Sequence, residues 1–167
     1  MCSDPQVMRY FPALLTRAQS DEAVDRIGAL LARHGFTFYA AELKETGAFI
    51  GFVGILPVLF QAHFTPCVEI GWRLAAAYWN RGLATEGARA VLGHAFGALG
   101  LEEVVSFAVP TNLPSRRVME KLGMKRDAAE DFDHPSLPEG HPLRRHVLYR
   151  ISREEWLREQ STARPRV

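Results

Sequence analysis

The chain has 167 residues, 47% hydrophobic and 23% charged, with a formal net charge of +1. That balance predicts one globular domain with a buried core, over residues 1–160 with a disordered tail at 161–167. It excludes the strongly basic footprint of a general nucleic-acid binder. The cysteines, Cys2 and Cys67, form no disulfide framework and no metal-type spacing, so a reducing compartment, the cytoplasm, is expected.

No basic segment followed by an apolar run opens the chain, so no signal peptide is expected. The first predicted helix follows Thr16 or Ser20, with Ala23, Ile27, Leu30 and Leu31 at helical spacing and Gly35 as its stop. Phe36 to Leu43 and Ala48 to Leu56 read as a hairpin around Lys44-Glu45-Thr46-Gly47. From Gly47 to Phe64 no residue is charged, but Gly51, Gly54 and Pro57 break the run and its residues are aromatic or branched. Two strands joined near Pro57 are expected there, not a membrane span.

Cys67 to Leu74 is the next strand. It leads through Tyr78-Trp79-Asn80-Arg81-Gly82 into a helix whose stripe is Ala88, Val91, Leu92, Ala95, Phe96 and Leu99, ended by Gly100. Val104 to Val109 reads as a buried strand. Asn112 is the N-cap of a short helix with Pro114 in its first turn, closed by Gly123. Asp127 to Pro142 reads as a long loop, Val147, Tyr149 and Ile151 alternate on a last strand, and Ser152 caps a terminal helix through Trp156. The fold class is α/β (α+β), a single mixed sheet with helices.

The stretch from Glu69 to Ala90 carries the most chemistry. Gly82 lets backbone approach a ligand, and a new helix presents unpaired N–H groups with about half a positive charge from its dipole. Arg81 adds a full charge. Such a cradle suits a pyrophosphate, although a tight turn that merely starts a helix reads the same way. The chain has no G-x-G-x-x-G and no Gly-Lys-Ser or Gly-Lys-Thr loop, which disfavours dinucleotide and nucleoside-triphosphate enzymes.

Glu69-Ile70-Gly71-Trp72-Arg73-Leu74, followed by Tyr78 to Gly87, resembles the GNAT superfamily of N-acetyltransferases. With Trp79 opening the loop, it looks closest to the branch of ribosomal-protein N-terminal acetyltransferases. Asn112-Leu113-Pro114-Ser115-Arg116-Arg117-Val118-Met119-Glu120-Lys121-Leu122-Gly123-Met124 matches a second family segment, in the right order. The resemblance runs from about Asp4 to about Trp156. It implies a mostly antiparallel sheet with helices on both faces, and transfer of an acetyl group from acetyl-CoA to a primary amine of a protein N-terminus or small molecule in a ternary complex. A non-catalytic acyl-CoA-binding module is the alternative.

On that resemblance, Trp72, Arg73 and Leu74 meet the pantetheine arm through their backbone. Arg81, Gly82, Leu83, Ala84 and Thr85 hold the pyrophosphate. Asn112 contacts the coenzyme near its thiol, and Ser115 stabilises the leaving thiolate. Arg116 meets the ribose phosphate, or belongs with Arg117 and Lys121 to a solvated helix face. Glu69 is the candidate base, and needs burial or a water relay because a free Glu titrates near ~4.3. A strand-end carboxylate paired with an arginine is its other reading.

His134, His141 and His146 beside Asp131 and Asp133 match no zinc spacing, so no metal is expected. His134 or His146 either orients the acceptor or simply pins a loop. The acidic stretch Glu130 to Asp133 would suit a cationic acceptor or is only solvated. Family members usually open with a further strand and helix before an Asp-Pro-x-Val-Met segment, which here is Asp4 to Met8. That first strand is therefore expected to be missing, leaving a sheet edge open to a second copy in a homodimer. Neither nucleic acid nor membrane is expected as a partner.

Overall fold

The computed structural model of the chain describes residues 1–163. The strands are β1 (Phe38–Glu42), β2 (Phe49–Pro57), β3 (Val68–Leu74), β4 (Glu103–Ala108), β5 (Lys125–Arg126), β6 (Phe132–Asp133) and β7 (Arg145–Ser152). The helices are α1 (Pro5–Met8), α2 (Arg17–His34), α3 (Leu83–Gly97), α4 (Leu113–Lys121) and α5 (Arg153–Ala163). The strands lie in the order β1-β2-β3-β4-β7-β5, with β6 on β7. β3 and β4 run parallel, while β1–β2, β4–β7, β5–β7 and β6–β7 are antiparallel, so the sheet is mixed, open and mostly antiparallel.

The chain groups into two compact units. One is Met1–Leu56 with Ile70–Val91, and the other is Pro57–Glu69 with the chain from Leu92 on. The backbone passes from one to the other at the end of β2, within β3 and again within α3.

In the first unit, Thr16 starts α2 through a capping box. Its hydroxyl accepts from Gln19 N at 3.2 Å and the Gln19 side chain accepts from Thr16 N at 2.9 Å. Gly35 ends the helix at φ 77°. The buried Thr37 hydroxyl donates to the Ile27 carbonyl at 3.0 Å, which ties the helix to the entry of β1. β1 and β2 pair antiparallel with Phe38 opposite Gly54. A side chain at Gly54 would overlap the Thr37 carbonyl and the Phe38 Cα, so only glycine lets this hairpin close on the α2–β1 turn.

In the second unit, β4 and β7 pair along their length, from Glu103↔Ser152 to Ala108↔Val147. Val104, Val105, Leu148 and Ile151 are fully buried, as befits an interior strand pair covered on both faces. Ser152 caps α5: its hydroxyl accepts from Glu155 N at 3.2 Å, and Glu155 accepts from Ser152 N at 3.0 Å. Trp156 then packs on Phe96, ring centroids 6.1 Å apart.

Three expectations are corrected. Gly47 to Phe64 holds one strand, not two. Beyond Pro57 the chain turns, because Thr65 closes a loop on Ala62 with its hydroxyl and its N–H, at 2.9 and 3.1 Å. Asp127 to Pro142 is not all loop: Phe132 and Asp133 pair with His146 and Arg145, and His134 N extends the ladder to Arg144 O at 2.8 Å. The terminal helix continues past Trp156 to Ala163, into the expected tail, whose remaining residues 164–167 lie outside the described residues. No helix among the described residues is long and apolar enough to cross a membrane.

Candidate active site

β3 ends at Leu74, and a single 3-10 turn, Ala76–Tyr78, delivers the chain to Trp79. The Trp79 indole N–H donates to the Leu74 carbonyl at 2.8 Å, so the loop is pinned back on the strand it left. Asn80 at φ 58° and Gly82 at φ 80° then reverse the chain. Both lie in the left-handed region, which Gly and Asn tolerate best.

The Gly82 carbonyl accepts from Glu86 N at 3.0 Å, which makes Gly82 the residue that caps α3. A glycine has no side-chain oxygen to offer. The N–H groups of Leu83, Ala84 and Thr85 therefore receive no acceptor from their cap residue. Arg81 is exposed, its guanidinium 5.7 Å from the Tyr78 ring centroid. A helix start whose cap residue brings no side-chain acceptor, beside an exposed guanidinium, fits a diphosphate.

Trp72, Arg73 and Leu74 form the end of β3, as expected. The Leu74 carbonyl already carries the indole. The Arg73 guanidinium is turned away, 3.9 Å from the Phe11 ring centroid and 3.4 Å from Cys2 Sγ.

The second unit holds the other candidates. Glu69 sits opposite Val105 in the β3–β4 ladder, so the two side chains share a face. Val105 in turn faces Arg150, and Phe107 faces Leu148. Across β7, His146 faces Phe132. One face thus carries Glu69 and Cys67, then Val105 and Phe107, then Arg150, Leu148 and His146, then Phe132.

Glu69 is partly exposed at its surface yet deeply set, and burial lifts its carboxyl from 4.5 to about 8. Among the described residues no arginine pairs with it, which removes the ion-pair alternative. Arg150, on the same face, is committed to Glu130 at 2.7 and 2.9 Å and to Glu103 at 2.7 Å. Burial, then the Glu69 charge, push the Cys67 thiol up to about 11, so Cys67 is no nucleophile.

Asn112 caps α4, its Oδ1 accepting from Ser115 N at 3.3 Å. Ser115 is half-buried in the first turn. Arg116 is engaged by the protein: it donates to the Pro110 carbonyl at 2.9 Å and to the Tyr149 hydroxyl at 3.4 Å, and that hydroxyl donates to Glu120 at 3.0 Å. Its geometry supports the β4–α4 turn rather than a free cation aimed at a phosphate.

His134 and His146 come together, ring centroids 5.2 Å apart. His134 Nδ1 accepts from Ser136 N at 3.2 Å, and His146 Nδ1 contacts the Arg144 carbonyl at 3.0 Å. An N–H can only donate and a carbonyl can only accept. The hydrogen is therefore on Nε2 of His134 and on Nδ1 of His146, when both are neutral. Burial, then the His146 neighbour, hold His134 below 6.5; burial does the same to His146.

The acidic stretch is already neutralised. Glu130 meets Arg150, Asp131 meets Arg126, and Asp133 lies 3.8 Å from Arg144 and 3.4 Å from Arg145. What sequence reasoning missed is the aromatic wall of Phe60, Phe64, Phe107 and Phe132 around these histidines. The alternation Val105, Phe107 on one face of β4 was a usable signal for Phe107. Nothing local marks Phe60.

The acetyltransferase (GNAT) domain family matches residues 1–125. The chain is 30% identical over 155 residues to the uncharacterised N-acetyltransferase YnaD of Bacillus subtilis, covering 92% of this chain and 85% of that one. A GNAT-family acetyltransferase from Bacillus anthracis superposes with a TM-score of 0.72 at 28% identity, over 92% and 85% of the two chains. Mycobacterium smegmatis RimJ, solved with CoA-disulfide, gives 0.65 at 27% identity, over 88% and 69%. The chain belongs to the GNAT acetyltransferase family.

Proposed function

We propose that this enzyme transfers an acetyl group from acetyl-CoA to a primary amine by direct attack, with Glu69 as general base. The observation that carries this is a carboxyl lifted to about 8 on a strand face with no arginine partner among the described residues. A base works best when its pKa lies near the working pH. Acetyl-CoA supplies the thioester. The Gly82 turn and Arg81 bind its diphosphate, and the backbone of Trp72 to Leu74 aligns its pantetheine arm. Glu69 takes the proton from the attacking nitrogen, directly or through a water. The Ser115 hydroxyl donates a hydrogen bond to the departing sulfur, and Asn112 holds Ser115 in place through its cap. His134 and His146 orient the acceptor. RimJ was solved with a coenzyme A species, which supports the ligand class.

The test is the pH dependence of kcat/KM, measured by thiol release. Wild type should rise with pH to a plateau above an apparent pKa near 8. An alkylamine titrates near ~10, so the inflection should stay put when amines of different basicity are compared. Glu69→Gln should lose that inflection and about 10²–10⁴-fold in rate. A Glu69→Gln enzyme with undiminished kcat/KM would remove Glu69 from the reaction.

A further inference from the structure

We propose that the acceptor is a primary monoamine carried on a flat aromatic body, held by the ring cluster of Phe60, Phe107, His134 and His146 on the face that Glu69 occupies. This rests on the acetyl-transfer reading above.

Glu69 stands opposite Val105. Phe107 is the next residue of β4 on that face, a diagonal neighbour of Glu69. Phe107 lies 5.8 Å from Phe60, 5.9 Å from His146 and 6.2 Å from His134, between ring centroids. Phe60 lies 4.6 Å from His134. These four rings are partly exposed, whereas Phe64 and Phe132 beneath them are buried and complete the cluster. An apolar group resting on this wall would gain aromatic contacts with little further burial of charge.

Charge supports the same class. A polyamine or an aminoglycoside needs several carboxylates besides the one that takes the proton. Around this face Glu130 and Glu103 are held by Arg150, Asp131 by Arg126, and Asp133 by Arg144 and Arg145. The two histidines carry hydrogen-bonding edges without fixed charge. A second ammonium on the acceptor would meet neutral rings and carboxylates that are already paired. A single ammonium, losing its proton near Glu69, would not.

The experiment compares 2-phenylethylamine, spermidine and kanamycin as acceptors for the full chain with saturating acetyl-CoA. Direct calorimetric binding of 2-phenylethylamine is measured in parallel. The expected result is a kcat/KM for 2-phenylethylamine at least ~10-fold above either polycation. Phe60→Ala should raise its KM about 10-fold and leave the KM of acetyl-CoA unchanged. Equal or better turnover of spermidine or kanamycin would overturn the aromatic class and leave the transfer reading standing. So would a Phe60→Ala enzyme of wild-type fold with unchanged KM and unchanged binding of 2-phenylethylamine. Acetyl-CoA binding with no thiol release on any amine would overturn the transfer reading and this inference together.

Discussion

Replacing Glu69 by Gln should stabilise the protein at alkaline pH while it destroys activity. The folded carboxyl titrates at about 8 and the unfolded one at 4.5. Across that window the folded chain holds a proton that the unfolded chain has lost. The contribution of Glu69 is therefore fully present below 4.5 and is lost as pH rises through about 8. A tenfold difference in proton affinity between the folded and unfolded chains is worth about 1.4 kcal/mol, so the full effect is on the order of 5 kcal/mol. Glu69 keeps some exposure to water, and roughly 2 kcal/mol is the expected remainder. Gln keeps the shape and cannot ionise. Urea unfolding of both proteins at about pH 4.5, 6.5 and 8.5 should show them equal at the lowest pH. The Gln variant should lead by ~2 kcal/mol at the highest, a gain of ~4–8 °C in Tm. A difference that stays constant with pH, or favours wild type at the highest pH, would refute the claim that Glu69 is held against its own ionisation.

Arg81→Ala should raise the KM for acetyl-CoA about 10-fold at low salt and little at high salt, since the cation is exposed and acts through screened attraction; kcat should barely change. Trp79→Phe removes the indole donor from Leu74 O and should cost ~1 kcal/mol by chemical denaturation, with a higher KM for acetyl-CoA as the Asn80–Gly82 turn loosens. His134 and His146 both titrate below 6.5 when folded, so their contribution is present above 6.5 and lost as pH falls below it. The double change to Phe should flatten the acid limb of a Tm-against-pH curve between about pH 7 and 5, and an unchanged limb would place the acid sensitivity elsewhere.

Most elements were legible because they rest on local signals. Thr16 or Ser20, Gly35, Asn112 and Gly123 mark helix ends by chemistry that acts within four residues, and the structure settles the first on Thr16. The hairpin around Gly47 and the Gly82 turn are of the same kind. What stayed hidden is set by partners far along the chain. Phe132 and Asp133 become a strand only because Arg145 and His146 offer a ladder. Val58 to Phe64 looks as strand-like as β2, yet beyond the bond from Val58 N to the Cys67 carbonyl the chain runs into the Thr65 turn, and its phenylalanines go to a cluster instead. For Arg116 the sequence leaves a ribose-phosphate contact and a solvated helix face both open, because its hydrogen bonds to the Pro110 carbonyl and to Tyr149, 33 residues away, leave no local trace.

The carboxylates make the functional argument sharper than any motif does. A chain that builds Arg150 into a clamp for Glu103 and Glu130, and sets Arg126 on Asp131, has the means to neutralise an acid near this strand face. Among the described residues no arginine pairs with Glu69, although Arg150 stands on the same face across β4. An arginine on Glu69 would stabilise the carboxylate, pull its pKa back below the ordinary value and end its use as a base near neutrality. Leaving it unpaired and deeply set costs stability at the pH where the enzyme would work. The same choice yields a proton acceptor poised at about 8 beside an aromatic wall that brings no charge of its own. The lost stability and the activity are one physical fact, which is why a single substitution at Glu69 should reverse both.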